Sequence, residues 1–408
     1  MIARLRPQLP WWGAALLGVA MLSWLGLTDY AWTDFDSELS PAIDRLVHGD
    51  VAGFLGGLPA YGGSVVLRAP FAAAAALLGG GELAIFRAVS IPCLVAGAWL
   101  AVALVRRMGE RGRSTGVRAL VLGLCVANPI TLRALQIGHP EELLCAVFAI
   151  GAVLAARDRR SVLAGLLLGL AIATKSWAVL AIGPVLLALP SRRPAALAIA
   201  IAVTLAVLAP IVLAASHAAV VSGAASTGSV IFKPQQLWWF AGDPSHVVIG
   251  VDGLPKPAGY RAPPAWLSSL THPLIAFLVL PLSLLWARVR GAAPRLDGEQ
   301  LLALLALLLL LRCVLDPWNN VYYALPFLLA LLAWEALCET ERPPVLALAA
   351  TVLVWVTFQQ APDWLGPDGQ CALYLAWALP LGAWLARACF APQARFGVRR
   401  AARTAFAR

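Results

Sequence analysis

The chain has 408 residues, 61% of them hydrophobic and only 13% charged, with a mean hydropathy of +0.79, which leaves too little polar surface for a soluble protein of this size. Its net charge of +10 is carried by short basic segments between apolar runs, a distribution that fits membrane orientation and argues against nucleic acid as a partner. Apolar runs of roughly 17–25 residues recur without a period-two alternation, so the expected fold class is an all-α integral membrane protein, not a barrel.

Most of the 31 Lys and Arg residues fall into segments that can share one side, among them Arg4 and Arg6, Arg106 to Arg118, Arg157 to Arg160, Arg192 and Arg193, and the tail from Arg387. The positive-inside rule then places both termini in the cytoplasm of a multi-pass plasma-membrane protein. The abundance of Ala and Arg with scarce Lys is the composition of a GC-rich bacterial genome. In chain order, a first span over 11–27 exits to a long outer segment, 28–82. This segment carries an acidic cluster, an amphipathic stretch at 41–47 and an apolar run, 65–78, that contains Arg68 and Pro70 and reads as interfacial or re-entrant. The first span has a basic start and an apolar run but lacks a small-x-small cleavage site, so it is expected to stay in place.

Spans over 83–105, 117–131 and 141–156 follow. The stretches 162–173 and 177–189 are each too short for a full span and have basic clusters at both outer ends. Lys175 is therefore expected at the tip of a broken hairpin, as in helices that line protein cavities. A span over 195–215 leads to a second outer loop, 216–271, rich in Pro, Gly and Trp. Spans over 272–288, 299–315, 320–338, 344–360 and 371–390 complete a bundle of about twelve, a single domain over 1–408. The seven cysteines form no CxxC pair and read as small buried hydrophobes.

Chemistry concentrates on the outer side. Asp34, Asp36 and Glu38 follow Tyr30 and Trp32, an interfacial aromatic pair. Acids held at a membrane surface can take a proton from an acceptor hydroxyl, and like charges nearby raise one of them toward a useful range; the bland reading is a solvated acidic loop. In Gly138-His139-Pro140-Glu141-Glu142, Pro140 and the glutamates suit the first turn of a helix, whereas His139 is not needed there and could serve a phosphate or a carboxylate. Arg312 emerges from an apolar run, with Asp316 four residues on as a candidate clasp. Asn319, Asn320, Tyr322 and Tyr323 carry amides and phenols suited to sugars. The chain's three lysines, Lys175, Lys233 and Lys256, all fall outside, as point charges for a phosphate would. Trp238 and Trp239 are candidate sugar platforms, and His217, Arg261 and His272 are further outer candidates. No metal-ligand spacing stands out, so no cofactor is assigned.

The acidic first outer loop, the Gly-His-Pro-Glu-Glu turn, the string Leu163 to Lys175 ending Gly169-Leu170-Ala171-Ile172-Ala173-Thr174-Lys175, and Asp316-Pro317-Trp318-Asn319-Asn320-Val321-Tyr322-Tyr323 together resemble glycosyltransferase family 87 of the GT-C group. The resemblance implies a polyprenyl-phosphate-linked sugar donor, with mannose as the expected sugar, inversion at the sugar, and a glycan or glycolipid acceptor on the extracytoplasmic face. It also implies a catalytic carboxylate in the loop 28–82, which maps onto Asp34, with Asp36 close enough to serve instead. Lys175, Arg312, His139 and Lys233 are then expected to meet the donor phosphate. Glu38, Glu142, Asp316, Asn319, Asn320, Tyr322 and Trp238 are expected around the sugar and acceptor. Two other readings stay open: a transporter or lipid flippase, for which broken helices also speak, and a lipid-linked glycan ligase or polymerase using a diphosphate donor.

Overall fold

The computed structural model describes residues 8–27, 34–58, 62–215, 232–244, 248–249, 255–256, 260–290, 298–338 and 342–390. Helix α1 (Leu9–Leu27) is followed by three short helices, α2 (Asp34–Glu38), α3 (Ser40–Val47) and α4 (Val51–Gly56), and by α5 (Gly62–Leu77). Pro41 sits in the first turn of α3, and Asp50 caps α4 by accepting the Gly53 N–H at 2.7 Å. These short helices bury Phe35, Leu39, Ile43, Phe54 and Val65 against Phe86 and Val89, with the Phe35 and Phe86 rings 4.6 Å apart. That packing fixes the acidic α2 to α6 (Glu82–Glu110), a helix that runs five residues beyond its expected end.

The next span breaks in two at Asn128-Pro129, giving α7 (Thr115–Val126) and α8 (Pro129–Ile137). Asn128 accepts the Ile130 N–H at 2.9 Å, and Pro129 opens the new helix, where its missing N–H costs nothing. Beyond α9 (Glu141–Arg157), α10 (Ser161–Thr174) stops because Lys175 is extended, at φ −148° and ψ 132°. A 3₁₀ turn, Ser176–Ala181, and α11 (Ile182–Ala188) complete the broken hairpin expected from the sequence. After α12 (Arg193–Ala214), the described parts of the second outer loop hold a ribbon of two-residue strands, Val248–Ile249 and Pro255–Lys256, and main-chain bridges from Phe232 to Arg261 and Asp243 to Ala262.

Helix α13 (Ala265–Arg290) starts earlier than the expected loop boundary at 271, directly after Pro263-Pro264. Then come α14 (Gly298–Leu315), a 3₁₀ turn at Val321–Tyr323, α15 (Ala324–Leu337), α16 (Val345–Trp355, prolonged by a π turn over Val356–Gln360) and α17 (Pro367–Phe390).

The described residues form an all-α membrane bundle, the ribbon apart. Seven helical stretches are long and apolar enough to cross a membrane: Leu9–Gly26, Glu82–Glu110, Thr115–Ile137, Arg193–Ala214, Ala265–Val289, Val345–Asp363 and Pro367–Phe390. Gly62–Leu77, Ser161–Thr174, Ser176–Ala188 and Val321–Leu337 are apolar but shorter. Helices α9, α14 and α15 form the centre and are buried nearly all round, including every residue from Leu301 to Leu310. Trp24, Leu205, Leu213 and Phe277 stay exposed on outer helices, as side chains facing lipid would.

Charges collect at two places. In one, arginines at the C-terminal ends of α6 and α9 meet acids and a helix end: Arg107 pairs with Asp158 at 2.7 Å, Arg157 with Glu299 at 3.2 Å, and Arg111 with both Glu299 and the Leu337 carbonyl. The other joins α2, α5, α9, the Lys175 break and the end of α14.

Candidate active site

The second cluster is built around the start of α9. Gly138, at φ 101°, ends α8 in the left-handed conformation that a side chain would strain, and the His139 N–H reaches back to the Ala134 carbonyl at 2.7 Å. This turn delivers His139, Glu141 and Glu142 together. Gly63 does similar work on α5: a Cβ there would lie 2.0 Å from the Ala173 carbonyl, so only glycine lets α5 lie against the Lys175 break.

Glu141 is completely buried and takes three cationic partners. Arg68 approaches Oε2 at 3.2 Å, while His139 Nδ1 and Lys175 Nζ lie 2.8 and 3.0 Å from Oε1. Arg68 is itself buried and steadied by the Ser64 carbonyl and hydroxyl. Glu142, also buried, accepts the Trp177 indole N–H at 3.0 Å and has Lys175 and Arg312 each 3.7 Å away. Arg312 lies over the Trp177 and Tyr323 rings, 5.0 and 4.2 Å from their centres. Two buried carboxylates thus face four cationic groups, one of which, His139, is shared with a third carboxylate.

His139 carries the cluster outward. Its Nε2 lies 3.0 Å from Asp34 Oδ2, and its ring stacks on Tyr322 with centres 4.4 Å apart. Burial works against its charge, but the Glu141 charge and the hydrogen bonds the ring donates to both carboxylates outweigh it and raise the imidazole to about 9. As imidazolium, His139 donates to Asp34 and to Glu141, so one carboxylate oxygen of Asp34 is tethered and the other is free of that bond. The Asp34 side chain is 46% exposed.

Lys233 closes the opposite side. Its ammonium donates to Asn320, stands 4.4 Å from the centre of the Trp318 ring, and feels Asp34 and Asp316. Burial pulls it down to about 8, against those two carboxylates. Asn320 passes the network on by donating to the Tyr322 hydroxyl at 3.1 Å.

The structure therefore gathers Asp34, His139, Glu142, Lys175, Arg312, Lys233, Asn320 and Tyr322. Asp36 is buried in α2, and Glu38, the last residue of the same helix, is exposed, within electrostatic reach of Tyr323. Asp316 does not clasp Arg312, which turns to Glu142 instead; Asp316 accepts the Trp318 N–H at 2.9 Å and has His272 3.9 Å away. Asn319 and Trp238 donate to the Gln235 and Leu315 carbonyls, at 2.7 and 2.9 Å, fastening the outer loop to the end of α14. Arg261 pairs with Asp368 at 2.8 Å, away from the cluster. Thr33, His217 and the aromatic pair Tyr30 and Trp32 lie outside the described residues.

Sequence reasoning missed Arg68 as a member of the site and treated Glu141 as a capping residue. The signal was present: an arginine in an apolar run is costly unless paired, so its partner should have been sought among the outer acids. Trp177 and Trp318, which flank Arg312 and Lys233, carried no comparable mark.

Residues 61–191, about a third of the chain, match a family model described as alpha-(1->6)-mannopyranosyltransferase, N-terminal domain. The matched stretch contains Arg68, His139, Glu141, Glu142 and Lys175, whereas Asp34, Lys233 and Arg312 lie outside it. The match supports a mannosyl-transferring glycosyltransferase with sugar donor and acceptor substrates in a membrane setting. No curated protein matches the chain.

Proposed function

We propose that the protein transfers a mannosyl residue from a polyprenyl-phosphate donor to a glycan or glycolipid acceptor, with inversion, on the extracytoplasmic face of a bacterial plasma membrane. The single observation that carries this reading is the chain Asp34–His139–Glu141, in which a half-exposed carboxylate is oriented by an imidazolium braced on a buried glutamate, with Lys175, Arg312 and Lys233 around it.

Such an arrangement suits displacement at an anomeric carbon. The acceptor hydroxyl oxygen attacks that carbon, its proton passes to Asp34, and the bond from the carbon to the phosphate oxygen breaks. The leaving polyprenyl phosphate gains negative charge, for which Lys175, Arg312 and Lys233 supply positive potential in a largely water-excluded setting. His139 holds the base in register and lends charge to the same region. Asp316, Asn320, Tyr322 and Glu38 are the candidates to meet sugar hydroxyls, and Asp36, buried in the same short helix as Asp34, is the alternative base. With both termini and the arginine-rich cluster assigned to the cytoplasm, this site faces outward.

The test is transfer of labelled mannose from polyprenyl-phosphate-mannose by purified protein in liposomes. Asp34→Asn should lower turnover by roughly 10²–10⁴-fold with donor retention near that of the wild type. Undiminished transfer by this variant would eliminate Asp34 as base. Uptake of the lipid or sugar without formation of a glycosidic product would overturn the transferase reading itself.

A further inference from the structure

At the opposite, arginine-rich end lies a cavity of about 180 Å³ that the transfer reaction does not use. Helices α1, α6, α9 and α10 enclose it, and its lining divides sharply by chemistry. One end presents Arg106, Arg107 and Arg160, with Asp158 as the acid among them. The other end is apolar, formed by Trp99, Leu163 and Leu167 over a floor at Gly151.

The charges are unbalanced. Arg107 is committed to Asp158 at 2.7 Å, and Arg106 reaches Glu110 only at 3.8 Å across an exposed pair. Arg160 is exposed and forms no ion pair among the described residues. Trp99 and Arg106 are seven residues apart on α6, about 10 Å along the axis at 1.5 Å per residue, a span that crosses a polar headgroup layer of roughly 5–7 Å and reaches the upper carbons of the chains. Trp99 and Leu163 are both exposed on the outside of the bundle, so the apolar end opens toward the acyl region. At Gly151 a Cβ would meet only the tip of Leu167 and the edge of Trp99, so the floor is open because no side chain fills it.

We infer that this cavity binds the headgroup and upper chains of one anionic phospholipid from the leaflet on the arginine-rich side. A free phosphate would use the arginines but leave the apolar half unoccupied, and a zwitterionic lipid would bring its own cation against them. A juxtamembrane arginine adds about 1 kcal/mol for an anionic headgroup, or roughly fivefold in affinity, so two contribute roughly 30-fold. The inference is independent of the mannosyltransferase reading, because its measurement needs no substrate.

The experiment is native mass spectrometry of the full chain, titrated with phosphatidylglycerol or with phosphatidylcholine of the same chains. The wild type should retain one phosphatidylglycerol in preference to phosphatidylcholine, and Arg106→Gln/Arg160→Gln should bind it roughly 30-fold more weakly. Both arginines are exposed, so this variant is expected to fold. Gly151→Leu, which fills the floor with every charge intact, should also lose the lipid; if it proves unstable, Leu167→Trp tests the same volume. Equal retention of the two lipids, unchanged binding by the arginine variant, or equal thermal stabilisation by glycerol phosphate alone would each overturn the inference.

Discussion

The two charged ends of the bundle use the same residue types in opposite ways. At the arginine-rich end the pairs are partly open to water, as with Arg106 and Glu110, whose side chains are 48% and 64% exposed. At the outer site Arg68 and Glu141 are 2% and 0% exposed, and Lys175 and Arg312 are nearly as deep. Exposed pairs contribute about 0–1 kcal/mol. Burying so many ions is costly, and the arrangement is stable only while every charge keeps its partners. Since an apolar packing of equal volume would serve stability as well, the buried outer cluster fits the catalytic role proposed for it.

The sharpest way to break that comparison is to remove the hub. Glu141→Gln leaves Arg68 without a carboxylate and takes one of two from Lys175 and from His139, so a loss of about 3–5 kcal/mol is expected, read as a large drop in melting temperature in detergent together with loss of transfer. A melting temperature within a degree or two of the wild type would mean that the buried ions are not mutually dependent.

A smaller and more selective effect is expected at Lys233, which lies at the rim of the site. Lys233→Met should weaken the donor interaction by roughly tenfold, about 1.4 kcal/mol, and leave the melting temperature nearly unchanged, because one charge-assisted contact to phosphate is worth about that much. Titration sharpens this prediction. With Lys233 held down to about 8, its charge is lost as pH rises through 8, so donor affinity should fall over that interval, and Lys233→Arg should carry it to higher pH.

The stability profile has a separate signature. The folded imidazole of His139 is raised to about 9, so its contribution is complete below its ordinary value near 6.5 and disappears as pH climbs through 9. His139→Gln should flatten that limb of a melting-temperature profile. The smallest change is expected at the other end: Arg107→Gln, in a pair only partly screened from water, should cost about 1 kcal/mol and leave transfer rates unaltered.

Much of this architecture is visible in the chain itself. Composition marks the membrane helices and the short halves around Lys175 mark one break, whereas the break at Pro129 falls inside a span expected to run unbroken over 117–131. The outer acids, His139 and Arg312 stand out because charges are rare in such a sequence. Other features could not be read. Which helices are central is hidden, because lipid and protein interior are equally apolar: α14 and the lipid-facing α12 look alike as sequences. Partners distant in the chain are hidden too. Arg68 meets Glu141 across 73 residues, and Arg312 passes over nearby Asp316 for Glu142, because Asp316 is occupied by the turn it caps at Trp318.

The central claim is that the base and the phosphate-binding cations serve one donor in one place. An electron-cryomicroscopy structure with a non-transferable polyprenyl-phosphate-mannose analogue tests it most directly. The account predicts the phosphate at hydrogen-bonding distance, about 3 Å, from Lys175, Lys233 or Arg312, with the anomeric carbon facing Asp34. A phosphate seated among Arg106, Arg107 and Arg160, or a sugar bound away from Asp34, would contradict it.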